Sequence, residues 1–258
     1  MAYHRLEGLM NEEQLKKRKL LSKTDTQEQS KKTKEYWDKV KENKQLPLPG
    51  RTDLWHRIPY VANHILKNTD KTFVIDEKSK ELLRFICLYF AADKMFLEET
   101  VLDSNLLKSV NNAASIKKGI ILAGNCGTGK TLIMKSAQKI YNYFPDNSFK
   151  FATTSQVVTD YNKPNDKGGD EAITRYKNGD WCFDDFGSEE MGSHFGKIEV
   201  MKEIILRRYE MFINYGNKTY LTTNLSPQMI EERYGERVMS RLKEMCNIKI
   251  ITGNDRRK

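Results

Sequence analysis

Residues 124–131 read G-N-C-G-T-G-K-T and fill every fixed position of the pattern G-x-x-x-x-G-K-[ST]. Glycines at this spacing let backbone N–H groups turn inward around a phosphate, and a helix N-terminus directly behind them adds partial positive charge. On this reading Gly124, Asn125, Cys126, Gly127, Thr128, Gly129, Lys130, Thr131 and Leu132 hold a nucleotide. Lys130 reaches the β- and γ-phosphates, and the Thr131 hydroxyl ligates Mg²⁺. A chance glycine-rich turn would explain the loop alone. It would not explain the apolar run 119–123 ahead of it, which reads as a buried parallel strand, or residues 132–143 behind it, which read as a helix.

Four further stretches carry polar residues where chemistry would need them. Residues 181–185, W-C-F-D-D, form an apolar strand ending in two acids. Asp184 at the strand tip is placed to hold Mg²⁺, and Asp185 to orient or deprotonate an attacking water. An isolated pair of this kind would be a strand-end turn; paired with the loop at 124–131 it is the second half of a phosphate-transfer site. Residues 218–224, K-T-Y-L-T-T-N, place Asn224 at another strand end, where it can sense a γ-phosphate. Asn224 could instead cap the helix that begins near Pro227, but Ser226 is the better cap. Arg237 and Arg241 lie four apart on one helical face and can stabilise a transferring phosphoryl group, although such a pair is ordinarily a solvated face. Finally, Tyr161, Lys163, Lys167, Arg175, Tyr176 and Lys177 interleave aromatic and basic residues, the combination that single-stranded DNA sites use. The competing reading is that the two tyrosines are packing residues.

The elements that must position these side chains alternate along the chain. Strands are predicted at 118–123, 148–153, 180–184, 218–222 and 247–251, with helices between them. One helix spans 195–215, with Ile198, Met201, Ile205, Tyr209 and Phe212 on its apolar face. Alternation of this kind predicts an α/β fold, a parallel five-stranded sheet with helices on both sides. Residues 162–170 read as an exposed, mobile polar loop. Upstream, 76–99 reads as a helix capped by Asp76, with Leu82, Phe85, Ile86, Tyr89, Phe90 and Phe96 at helical spacing, packed against the domain that follows. The run L-P-L-P-G at 46–50 is a breaker, and 1–45 is rich in Lys, Glu and Gln with a thin apolar stripe. Three regions result: a helical, flexible and basic 1–50, a helical partner-binding or packing region at 51–100, and the catalytic domain at 101–258.

Composition narrows the class. The chain has 258 residues and a formal net charge of +9, which suggests a polyanionic partner. Its four cysteines are scattered, with no C-x-x-C pair, which argues against structural zinc and for reduced, cytosolic thiols. The apolar stretch 85–92 is too short to cross a bilayer, and the N-terminus lacks a signal-peptide core. A cytoplasmic protein is expected.

Taken in order, G-N-C-G-T-G-K-T, F-D-D-F-G-S-E, R-R-Y-E, T-T-N-L-S, Y-G-E-R-V-M-S-R-L and G-N-D-R-R resemble the AAA+ ATPases of the bacterial replicative-helicase loaders, the DnaC and DnaI proteins, and their relative IstB, a transposition helper. The resemblance covers about residues 100–258. It implies ATP and Mg²⁺ as ligands, a sheet ordered 5-1-4-3-2 and no C-terminal helical lid. It implies Walker A roles for Lys130 and Thr131, Walker B roles for Asp184 and Asp185, and a sensor role for Asn224. Arg241 becomes an arginine finger that completes a neighbouring subunit's site, Arg237 its support, and Arg257 a second sensor. The second acid is Asp where many relatives have Glu, and its reach is shorter. The implied partners are a hexameric replicative helicase or a transposase, together with single-stranded DNA threaded past 151–181. Three functions follow: a helicase loader, an IstB-like helper, or a DNA-binding adaptor that uses ATP as a structural ligand. The two acids and the arginine argue against the last.

Overall fold

The computed structural model describes Lys31, Glu35 and residues 48–98, 114–164, 167–192 and 198–253. The chain divides into two compact units, Met1–Pro47 and Leu48–Lys258. In the first, Lys31 and Glu35 are helical and exposed, and the rest of the expected N-terminal pattern lies outside the described residues. The second unit contains everything below, and the boundary expected near residue 100 falls inside it.

A continuous apolar run forms the buried centre of the sheet. Strand β1 (Gly119–Gly124) is buried from Gly119 to Ala123, as a strand covered on both faces must be. β2 (Lys150–Thr153), β3 (Trp181–Phe186), β4 (Thr219–Thr223) and β5 (Cys246–Ile251) join it, every pairing parallel. The order is β2-β3-β4-β1-β5, which read from the other edge is 5-1-4-3-2. Each predicted strand is present, shifted by no more than two residues at either end.

One register detail governs the site. Phe183 pairs with Leu221, yet Phe186 pairs with Thr223, so β3 spends one residue more than β4 between those pairs. The extra residue falls at Asp184–Asp185, and Asp185 takes φ 58°, the left-handed region. This is a β-bulge, which bends a strand and re-aims a side chain.

Helices cover both faces. Helix α1 (Arg51–Leu66) starts at Gly50, whose N–H donates to Asp53 Oδ2 at 3.1 Å. Helix α2 (Glu77–Phe90) is capped by Asp76 as expected, its Oδ1 accepting the Ser79 N–H at 2.7 Å. It does not run to residue 99. Ala92 turns to φ 49° and the Asp93 N–H returns to the Leu88 carbonyl at 3.0 Å, which closes the helix end. Asp93 then accepts the Met95 N–H and opens a 3₁₀ turn at Lys94–Glu98, which folds Phe96 back to 5.2 Å from Phe85 and Tyr89.

Helix α3 (Lys130–Tyr141) follows the glycine loop, and an aromatic group of Tyr89, Phe90, Tyr141, Phe149 and Tyr220 fixes α2 and α3 on the sheet. On the opposite side lie α4 (Thr154–Tyr161), α5 (Gly169–Lys177), α6 (Val200–Tyr215), α7 (Pro227–Tyr234) and α8 (Glu236–Met245). Met201 and Ile205 of α6 are buried as expected, with Ile198, Tyr209 and Phe212 packed at the margin. Arg208, on the same helix, is fully buried. It donates to the carbonyls of Tyr176, Lys177, Gly179 and Lys218 and to Thr219 Oγ1. One guanidinium thereby satisfies acceptors at the end of α5 and the start of β4, work that no apolar residue could do. Burial pushes its pKa down to about 10.

The 162–170 loop is shorter than expected. Gly169 and Asp170 already belong to α5, and Gly168 and Gly169 are buried. A Cβ at Gly168 would lie 2.0 Å from the Lys163 carbonyl, so the loop closes tightly on itself.

Candidate nucleotide site

The loop between β1 and α3 bends through two left-handed glycines, Gly127 at φ 74° and Gly129 at φ 90°. Gly129 serves as the N-cap of α3, so the first free N–H groups of that helix face the loop's hollow. Gly124, at φ 152°, lies so close to β5 that a Cβ would stand 2.1 Å from the Ile251 carbonyl. Asn125 points the same way, its Nδ2 donating to the Gly253 carbonyl at 3.4 Å. Gly124 and Asn125 therefore anchor the loop to β5. Cys126, Gly127, Thr128, Gly129, Lys130, Thr131 and Leu132 line a cavity of about 580 Å³, with Asp185 and Asn224 opposite.

Lys130 is a buried amine at the centre. Its Nζ donates to the carbonyls of Gly124 at 2.6 Å and Asn125 at 2.8 Å, and to Asn224 Oδ1 at 3.1 Å. The Lys130 and Asn224 side chains, 94 positions apart in the chain, thus touch. Asn224 is not the helix cap: Ser226 takes that role, its hydroxyl accepting the Met229 N–H at 3.2 Å. Thr131 Oγ1 donates to Asp184 Oδ1 at 2.7 Å, which brings the two expected Mg²⁺ ligands together. Among the described residues no group of three or more His, Cys, Asp or Glu side chains gathers. The donor set at this point is one hydroxyl and one carboxylate, which suits a Mg²⁺ that takes its remaining ligands from phosphate and water.

The acids are held by residues without a motif signal. Thr222, fully buried on β4, donates to Asp184 Oδ1 at 2.6 Å and accepts the Asp185 N–H at 3.0 Å. Thr154 and Ser188 both donate to the Asp185 carbonyl, at 3.0 Å and 2.7 Å. The Asp185 peptide is therefore clamped on both sides while its side chain stays exposed toward the cavity. Nothing in the sequence distinguishes Thr222 from Thr219 and Thr223 on the same strand.

The remaining wall was not foreseen. The connection between α1 and α2 supplies Leu66, Lys71, Thr72, Phe73, Val74 and Asp76 to the same cavity. Asn63 of α1 fixes it by accepting the Phe73 N–H at 2.7 Å. This part of the wall is apolar around Leu66, Phe73 and Val74, unlike the polar floor around Lys130, and so suits the base end of a nucleotide.

The arginines lie elsewhere. Arg241 sits on α8 with its guanidinium 4.8 Å from the Tyr209 ring centre, and it does not line the cavity. Arg237, expected to support Arg241 at a bound nucleotide, is exposed and lines a separate hollow of about 370 Å³ with Lys177, Glu203, Arg207 and Glu210. It does not contact the protein's own nucleotide cavity, because α8 packs on α6 and α7, away from the loop after β1. Arg257 lies outside the described residues.

The aromatic part of the expected DNA contact is also corrected. Tyr161 and Tyr176 are 6% and 3% exposed and belong to the core. The Tyr176 hydroxyl donates to Asp160 Oδ2 at 2.6 Å, and its ring lies 4.8 Å from that of Trp181. Rings so enclosed have no face to offer a base. Lys163 and Arg175 pair with the same Asp160, at 2.6 Å and 3.4 Å, while Lys167 is exposed and Lys177 half-buried.

No protein-family model matches the chain, and no curated protein matches it. Its fold is similar to that of solved structures. A crystal structure of the DnaC helicase loader aligns over 70% of this chain and 94% of its own, at 19% identity and TM-score 0.47. A crystal structure of DnaI aligns over 74% and 89%, at 21% and 0.45. AMPPCP-bound DnaA from Aquifex aeolicus aligns over 69% and 48%, at 18% and 0.44.

Proposed function

We propose that the chain is an AAA+ ATPase that binds a replicative DNA helicase and single-stranded DNA and hydrolyses ATP during helicase loading. The observation that carries the ATPase reading is convergence. Lys130 and Thr131 of α3, Asp185 of β3 and Asn224 just after β4 come from three separate parts of the chain and line a single cavity, and Asp184 of β3 joins them through its bond from Thr131. The loader reading is supported by the run of motifs from residue 124 to residue 257, and the fold is the one those motifs imply.

The chain's own groups divide the work. The glycine loop and the N-terminus of α3 present N–H donors to the phosphates, and Lys130 supplies a fixed positive charge. Thr131 and Asp184 would hold Mg²⁺, which neutralises charge on the phosphate oxygens. Asp185 faces the cavity on a clamped peptide and accepts a proton from the attacking water. Asn224, tied to Lys130, orients that water. Arg241 lies outside its own cavity and would complete the site of the next subunit, so activity requires a head-to-tail assembly. Single-stranded DNA would run along the basic surface of Lys163, Lys167, Arg175 and Lys177 through phosphate contacts rather than stacking. Among the described residues no helix is long and apolar enough to cross a membrane.

Two measurements test this. ATPase activity of the purified chain should rise when single-stranded DNA is added; unstimulated or absent turnover would favour an adaptor that holds ATP as a structural ligand. Co-purification should recover a hexameric helicase. Recovery of a transposase would move the chain to the IstB-like reading, which shares the same motifs.

A further inference from the structure

The loop that follows the two acids is tied to helix α7 by a buried cluster without a direct part in nucleotide chemistry. Glu189 is 4% exposed. Its Oε2 accepts the N–H of Gly187 at 2.8 Å, two residues beyond Asp185, and its Oε1 accepts the Tyr234 hydroxyl. Arg233 repeats the bridge. Its guanidinium donates to the Gly187 carbonyl and, at 2.6 Å, to the Glu189 carbonyl, and lies 3.8 Å from the carboxylates of both Glu189 and Glu199. Phe186 stacks on Tyr234 with ring centres 4.5 Å apart.

The two ends of this cluster are unequal in kind. One end is the bulge, where Asp185 sits at φ 58° and Gly187 at φ 94°. The other is Gly235 at φ 91°, the single residue joining α7 to α8. The arginines Arg237 and Arg241 begin two residues beyond that corner. Gly187 has little room to shift alone, since a Cβ there would stand 2.2 Å from Leu225 Cδ1. A movement of the Asp185 loop must therefore pull on Glu189 and Arg233, and through them on the corner.

We propose that Glu189 is a positioning residue that couples Asp185 to helix α8, so that the state of the nucleotide site sets the orientation of the Arg237–Arg241 face. The inference rests on the ATPase reading above. Burial and the neighbouring Glu189 carboxylate hold the Tyr234 hydroxyl far above the ordinary tyrosine range, so the phenol remains a donor to Glu189 at any working pH.

The test is hydrogen exchange on the full chain, with and without ATPγS and Mg²⁺, in wild type, Glu189→Gln and Tyr234→Phe. In wild type, nucleotide should slow exchange in 185–189 and change it in 235–242. Both variants should keep nucleotide affinity within about threefold and lose the change at 235–242, while kcat falls about fivefold or more at nearly constant KM, the pattern of a lost transition-state contribution. An unchanged nucleotide response at 235–242 in the variants, or no such response in wild type, would overturn the coupling while leaving the ATPase reading intact. A uniform rise in exchange across all segments would make Glu189 a plain core residue and overturn it equally. Failure of wild type to bind nucleotide would overturn the ATPase reading and the coupling together.

Discussion

Thr222→Val removes one buried hydroxyl and keeps nearly the same shape. Two bonds go with it: the donor to Asp184 Oδ1 at 2.6 Å and the acceptor of the Asp185 N–H at 3.0 Å. A hydrogen bond to a charged group contributes about 1.5–3 kcal/mol and a neutral one about 0.5–1.5 kcal/mol, so the loss should be ~3 kcal/mol. Thr131 still donates to Asp184, which limits the damage on that side. The Asp185 side has more to lose. Its left-handed backbone costs about 1–3 kcal/mol and persists only while neighbours hold it. If ~1.4 kcal/mol of the loss falls on the placement of Asp185, kcat drops about tenfold. Thr223→Val is the control. Thr223 is equally buried and also makes two bonds, to the Phe186 carbonyl at 2.6 Å and from the Leu225 N–H at 3.0 Å, but none to an acid. Urea unfolding should show both variants destabilised, Thr222→Val by ~3 kcal/mol and Thr223→Val by ~2 kcal/mol. Steady-state turnover should fall about tenfold in Thr222→Val and stay within about threefold in Thr223→Val. Equal losses of turnover in the two variants, or a Thr222→Val protein as stable as wild type, would refute the clamp.

Lys130→Ala should abolish nucleotide binding or turnover, since it removes the charge beside the phosphates; activity within about twofold of wild type would sink the loop assignment. Asp185→Asn should bind ATP normally and fail to hydrolyse it, because an amide cannot accept the proton of water; isothermal binding and a phosphate-release assay read the two halves separately. Arg241→Ala protein mixed with Lys130→Ala protein should regain part of the activity each lacks alone, and activity independent of concentration, with no rescue, would make Arg241 a surface residue. Burial pushes the Asp160 carboxyl up, but hydrogen bonds from Lys163, Tyr176 and Gln156 outweigh it and leave its pKa below the ordinary value. The folded pKa is thus depressed, so ionised Asp160 adds stability that is present above the unfolded value of about 3.9 and is lost as pH falls through the folded one. Asp160→Asn should therefore be less stable than wild type at neutral pH, with the gap narrowing on acidification; a gap independent of pH would contradict the linkage.

The strands were legible because each carries a short group of apolar or β-branched residues between breakers and alternates with helical segments, a pattern that needs no knowledge of its neighbours. The end of α2 was not. Ala91 and Ala92 favour helix, and the stop comes from Asp93 capping the next turn and from Phe96 returning onto Phe85 and Tyr89. Tyr161 and Tyr176 misled for a related reason: basic and aromatic residues interleave in the same way on a nucleic-acid face and at the rim of a core. Asp160 decides the matter by taking the Tyr176 hydroxyl and two of the cations at once. The cavity wall at 66–76 has no periodicity to read and is placed only by where α1 and α2 pack.

The acids show how motif and geometry divide the labour. Strand alternation sends neighbouring side chains to opposite faces, so on a regular β3 Asp184 and Asp185 would point apart. The bulge resolves this: Asp184 stays buried against Thr131 and Thr222, while the left-handed turn at Asp185 swings its carboxylate into the cavity that Lys130 and Asn224 share. Thr222, Thr154 and Ser188 hold the bulged backbone there.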